Sequence, residues 1–136
     1  MGAWGVGIFN DDVACDARYA MLDQFRAGLS IKAATDAALE NLADFMEDEE
    51  DAPVVTLALA ATQWEAGRLD KRIKRRALKV IAGGVDFRWQ ESAFAVQRRA
   101  VLAELGVRLN TPPPSAVPLD KLTDAVPGAT SGGGGR

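Results

Sequence analysis

The chain has 136 residues, 48% of them apolar and 26% charged, with a formal net charge of −3, one cysteine and no histidine. That is the length and composition of one small globular domain. The missing histidine excludes His-based catalytic triads, the Cys–His dyad, and His-ligated zinc or haem sites. The single thiol, Cys15, excludes an internal disulfide. No basic segment leads into an apolar core of about 7–15 residues, and no apolar run approaches about 18 residues, which argues against secretion and membrane spanning. A cytoplasmic chain is expected, without a membrane contact or a cofactor.

The small net charge conceals a polarised chain. Residues 10–51 hold 12 Asp/Glu against 3 Lys/Arg, whereas residues 65–108 hold 5 against 11. Residues 109–136 carry two charges of each sign, five of the six prolines and a glycine run at 132–135. That composition lacks the apolar content to fold on its own. Packed structure is therefore expected to end near Leu109, giving a helical domain over residues 1–109 and a disordered Pro/Gly-rich tail over 110–136.

Between residues 10 and 109 the apolar spacing is helical, and the fold class expected is all-α, a bundle of about five helices. In the first helix Asn10 or Asp11 caps the free amides, Asp11 and Asp12 suit the positive dipole end, and Val13, Ala17, Ala20, Met21 and Phe25 share one face. Gly28 stops it. Ser30 caps a second helix with the stripe Ile31, Ala34, Ala38, Leu42 and Phe45. Residues 47–51 are uniformly acidic and read as a solvated connection. A third helix starts at Asp51 with Pro53 in its first turn, where a missing N–H costs nothing. It is apolar around most of its circumference from Val54 to Ala61 and should be the central, buried helix. Asp70 caps a fourth helix with Ile73, Ala77, Val80 and Ile81 inward and Lys71, Arg72, Lys74, Arg75, Arg76 and Lys79 around the rest, ending at Gly83 and Gly84. The fifth directs Phe94, Val101, Leu102 and Leu105 inward and closes at Gly106.

The N-terminal stretch threads Trp4 and Phe9 between Gly2, Gly5 and Gly7. Glycines there permit the segment to fold back and insert both rings between helices. An anion site at this helix start is disfavoured, because Asp11 and Asp12 would repel the ligand. Gly2 follows Met1, but Val6 stands where an acylation motif has Ser or Thr, so no lipid anchor is expected.

Met1-Gly2-Ala3-Trp4-Gly5-Val6-Gly7-Ile8-Phe9-Asn10-Asp11-Asp12, together with Ala60, Gln63, Trp64, Gly67, Arg68 and Leu69, resembles a family of short bacterial proteins of uncharacterised domain type. Its members open with Met-Gly-x-Trp-Gly-x-Gly-x-Phe-x-Asp-Asp and carry a later Ala-x-x-Gln-Trp-x-x-Gly-Arg-Leu segment. The resemblance spans residues 1–109 and implies an α-helical domain without an established activity. Some longer relatives carry a further domain similar to toxin-immunity proteins, which implies a defence or toxin-neutralising context.

The residues leave three functional readings open. Gln63, Trp64 and Arg68 form either a packed motif, with the indole against the N-terminal aromatics and Gln63 bonded to a loop backbone, or one edge of a recognition surface with Trp4 and Phe9. Asp12 and Asp16 share a helix face and, with Asp11 or a residue from Glu47 to Asp51, offer the one carboxylate cluster suited to a hard divalent cation, hence a metal-dependent hydrolase. The basic run, with Arg72, Arg75 and Arg76 at its centre, suits pairing with the acidic half of the chain first, a protein partner second and nucleic acid third. The negative net charge and the absence of interleaved aromatics argue against nucleic acid. Cys15 has acidic neighbours that disfavour a thiolate, so it is expected to be inert. The expected function is a non-enzymatic protein-interaction module, immunity-related or regulatory.

Overall fold

The computed structural model describes residues 7–84, 86, 89–90 and 92–122. Among these residues the chain is all-α: α1 (Asp12–Arg26), α2 (Ile31–Asn41), α3 (Ala43–Met46), α4 (Asp51–Glu65), α5 (Lys71–Ala82) and α6 (Ala95–Leu109), followed by a 3-10 turn at Leu119–Lys121. One more helix is present than the apolar spacing implies. The stripe read as a single second helix is interrupted at Leu42, whose backbone leaves helical geometry (φ −105°, ψ 16°) and separates the short α3 from α2.

Helix starts follow the local chemistry. Asp11 Oδ1 accepts from the amides of Val13 and Ala14 at 2.7 and 3.4 Å, Ser30 Oγ from Ala33 at 3.2 Å, and Asp70 Oδ1 from Arg72 and Ile73 at 2.7 and 3.4 Å. Each satisfies donors that lack a partner within the helix. The entry to α4 is built differently. Asp48 Oδ1 accepts from the Glu50 and Asp51 amides at 2.8 and 3.1 Å, turning the acidic link into the helix.

The core is organised around α4, whose residues 54–63 are all buried. Burying a Val or Leu side chain there contributes about 1.5–3 kcal/mol each. Helix α1 supplies Ala14, Ala17, Met21, Leu22 and Phe25, α2 supplies Ala34 and Ala38, α5 supplies Ile73 and Ala77, and α6 supplies Leu102, Leu105 and Leu109. Two side chains read as inward are not. Ile31 is 38% exposed because it occupies the first turn of α2, and Phe94 is 54% exposed because it caps α6 from outside the helical register.

Glycines punctuate the chain at Gly28 (φ +85°), Gly67 (φ +72°) and Gly84 (φ +102°). Gly106 does not close α6 as expected. It lies inside the helix, where a Cβ would stand 3.5 Å from Ile81 of α5, and the helix runs on to Leu109.

Packing also runs past Leu109. Val117 N–H donates to Ala66 O at 3.0 Å, and Leu122 is half-buried against the core. Polar composition did not prevent residues 110–122 from lying on the bundle, because α4 and the turn after it provide a prepared track. Residues 123–136 and the opening residues 1–6, including Trp4, lie outside the described residues.

Gly67 sits where this segment crosses. Its positive φ disfavours any L side chain, and an added Cβ would fall 2.6 Å from Pro114 O and 2.7 Å from Ser115 O. Gly67→Ala is expected to lower unfolding free energy by about 1–3 kcal/mol in urea denaturation, through left-handed strain and displacement of the crossing segment.

Candidate functional site

The centre of the polar architecture is Gln63, which is fully buried. Its Nε2 donates to Thr35 Oγ1 on α2 at 2.8 Å and contacts Met21 Sδ on α1 at 3.3 Å, while its Oε1 accepts from the Asp70 amide at the start of α5 at 2.9 Å. Thr35 in turn donates to Ile31 O at 2.7 Å. Gln63 does bond a loop backbone, as expected, but its wider role is to join four helices from inside, which removes it from any recognition surface.

Asp70 passes the network to the surface. Its carboxylate caps α5 and receives Arg72 Nε at 3.2 Å and Nη2 at 2.9 Å. Arg72 Nη1 reaches Asp36 on α2 at 2.9 Å, and Lys32 joins Asp36 from the other side at 2.9 Å. Hydrogen bonds from Lys32 and Arg72 hold the Asp36 carboxyl below its ordinary value. Burial pushes Asp70 upward, but the Arg72 side chain and the capped amides outweigh it and leave this carboxyl lowered as well.

Trp64 and Arg68 are not neighbours on one helix face. Helix α4 ends at Glu65 and the chain reverses at Gly67, so Arg68 leaves the helix. Arg68 lies 5.6 Å from the Phe25 ring centroid and donates to Ala66 O at 2.9 Å. The Trp64 indole donates to Thr111 O at 3.1 Å, with the Arg108 guanidinium 5.7 Å from its ring centroid. The indole is thus half-buried against the end of α6; its expected packing on Trp4 falls outside the described residues.

Phe9 is half-buried beneath the Arg18 guanidinium, 5.2 Å from its ring centroid. Arg18, itself buried on α1, pairs with Glu65 at 3.1 Å. Burial raises the Glu65 pKa, and the charge of Arg18 offsets only part of that shift. Cys15 Sγ is 3.4 Å from Phe9 O, and burial together with Asp12 and Asp16 pushes its pKa up, which disfavours a thiolate.

The carboxylates proposed for a metal do not converge. Asp11 is buried and turned onto its capping amides, whereas Asp12 and Asp16 are exposed. Among the described residues no three His, Cys, Asp or Glu side chains are grouped so as to hold a metal ion.

The basic helix presents the opposite picture. Helix α5 is anchored through Ile73 and Ala77, and Lys71, Arg75, Arg76 and Lys79 are exposed. Of its cations, Arg72 alone reaches a described carboxylate of the acidic half. Pairing with that half, the leading explanation of the charge pattern, is therefore confined to one residue, and Arg75 and Arg76 make no ion pair with a described residue.

One buried ion pair was not anticipated. Arg98 on α6, 2% exposed, grips Asp86 with Nε at 3.0 Å and Nη2 at 2.8 Å, donates through Nη1 to Gly7 O at 3.1 Å, and stands 5.3 Å from the Trp89 ring centroid. It continues the inward stripe Leu102, Leu105 and Leu109 at helical spacing, so a cation on an apolar face was the available signal.

Two stability measurements check these assignments. Gln63→Leu, close in volume, strands the Asp70 amide and is expected to cost roughly 1–3 kcal/mol in urea denaturation. Arg98→Met is expected to cost about 3–5 kcal/mol because it leaves Asp86 buried without its counter-charge, and replacing both partners by apolar residues should cost less than Arg98→Met alone.

No helix among the described residues is long and apolar enough to cross a membrane. No significant match to the chain was found among curated proteins or among solved structures. The family described as a domain of unknown function (DUF4259) matches residues 2–100. That match takes in every helix from α1 to α5, and the chain belongs to this family.

Proposed function

We propose that this chain is a non-enzymatic, cytoplasmic protein-interaction module that receives an acidic protein surface on α5. The observation that carries the reading is the set of α5 cations left exposed by the fold, with Arg75 and Arg76 unmatched by any described carboxylate. Exposed ion pairs contribute only about 0–1 kcal/mol each. A same-sign ridge on a rigid helix instead accelerates encounter and selects partners of opposite potential. Rigidity follows from the two ends of the helix. Asp70 is fixed by Gln63 at the start, and Ile81 packs near Gly106 towards the end. A toxin-neutralising or regulatory role fits such a module, since either needs a specific surface and no reaction centre.

The metal-hydrolase alternative has less support, because the Asp11 carboxylate is already engaged by the amides of α1. Nucleic acid would use the same α5 face, and the two ligands separate in one experiment. The purified chain and an Arg75→Glu/Arg76→Glu variant are immobilised and exposed to lysate of the native host, with and without nuclease treatment. Retention of a protein by the original chain, reduced at least tenfold in the variant and by high salt, is the expected result. Retention abolished by nuclease, or equal on both chains, would overturn the reading.

A further inference from the structure

Beyond α6 the chain crosses the C-terminal end of α4 in a form that its residues dictate. Pro112, Pro113, Pro114 and Pro118 fix their own φ, and each disfavours helical geometry in the residue before it, so residues 111–114 and 117–118 run extended. Pro118 sits in polyproline II geometry, at φ −55° and ψ 144°. A chain of this kind makes no internal hydrogen bonds, which leaves its carbonyls free to accept from a neighbour.

The end of α4 meets that chain at three points. The Trp64 indole donates to Thr111 O at 3.1 Å, and Ala66 O accepts from Val117 N–H at 3.0 Å. Between them Gly67, at φ +72°, has no Cβ where Pro114 O and Ser115 O pass. All three contacts are made with backbone: the side chains of residues 111–116 are exposed and Val117 is half-buried. Thr111 turns its own donors back onto α6, N–H to Arg108 O at 3.0 Å and Oγ1 to Val107 O at 2.8 Å, so its carbonyl is left for the indole. An aromatic surface that holds a proline-rich chain in its extended form is a recurring mode of peptide recognition.

We propose that Trp64, Ala66 and Gly67 form a receptor for a proline-rich extended segment of another protein, with residues 111–117 as a built-in occupant that the incoming segment displaces. The surface uses no residue of α5 and is independent of the docking reading above. Because its contacts read backbone, a foreign segment with the same proline-imposed geometry meets the same donor, acceptor and bare glycine. The tether to α6 keeps the internal segment at an effective concentration on the order of millimolar, so it competes and sets the threshold for the incoming one. The same tether disfavours the corresponding segment of a second copy, which each chain already holds more tightly on itself.

The test is calorimetric titration of the full chain with a synthetic peptide of residues 110–122, and with a control peptide carrying Pro112→Gly/Pro113→Gly/Pro114→Gly. Two full-chain variants release the internal segment and leave the receptor intact. Val117→Pro removes the N–H held by Ala66 O, and Pro112→Gly/Pro113→Gly/Pro114→Gly raises the ordering cost of the docked segment. Each should bind the peptide about tenfold or more tighter than the original chain does, since less of the receptor is occupied. The control peptide should bind each about tenfold more weakly, having lost its preorganisation. Trp64→Phe, which keeps a ring and removes the donor, should weaken binding about three- to tenfold when added to either released variant. Helical content by circular dichroism should match the original throughout; if one released variant loses it, the other carries the titration. Released variants that ignore the peptide, equal affinity in original and released chains, equal binding of the control peptide, or indifference to Trp64→Phe would each overturn the proposal. Loss of helical content in both released variants would overturn it as well, because residues 111–117 would then belong to the core. A doubled mass on sedimentation of the original chain, abolished by Val117→Pro, would give the surface to a second copy and overturn the foreign segment.

Discussion

The fold depends on one amide side chain of α4 meeting three other helices at a point that water does not reach. Gln63 has two kinds of polar atom to satisfy, and α2 and the start of α5 supply a partner for each while α1 presents the soft sulfur of Met21. A buried amide without such partners would oppose folding by several kcal/mol. The bond geometry therefore acts as a gauge, since helices that pack at another register leave the amide unsatisfied. Apolar contacts along α4 supply most of the driving force, but they are tolerant of sliding in a way that these hydrogen bonds are not.

From that point the structure grades outward from buried amide to surface charge. Asp70 takes its position from Gln63, aligns Arg72 through two hydrogen bonds, and Arg72 reaches Asp36. Interior packing thereby reaches the surface at the one point where α5 meets α2, the pair of Arg72 and Asp36. The N-terminal segment is fixed by a second system at a distance from the first. Arg98 holds Gly7 O, and Arg18 covers Phe9. Cations inside the bundle serve here as clamps on backbone and rings.

Much of this was legible in the residues. Asp11, Ser30 and Asp70 announce helix starts because short polar side chains compete for local amides. The unbroken apolar run of α4 announces a helix buried on all sides. Pairings between distant residues were not legible. That Trp64 would meet Thr111 and Arg108, or that Arg98 would find Asp86, depends on which helices become neighbours, and periodicity does not report this. The basic helix was misjudged for a related reason. Opposite charges in two halves of a chain invite the thought that they neutralise one another, but Lys71, Arg75, Arg76 and Lys79 are exposed on α5, and among its cations only Arg72 reaches a described carboxylate of the acidic half, at Asp36. At Gly106 a residue that commonly ends a helix was instead accommodated within one, beside Ile81.

The region matched by the family and the region that packs into the bundle are not the same length. Family likeness ends at residue 100, inside α6, before Leu102, Leu105 and Leu109 have entered the core and before the stretch that crosses Gly67. A fragment trimmed to the recognised region would expose the side of α4 that those leucines cover and would lose the backbone bond from Val117 to Ala66. Among the described residues the packed structure extends to Leu122, past the end of the family match, so the last turns of α6 and the segment over Gly67 complete a core that the matched residues leave open on one side.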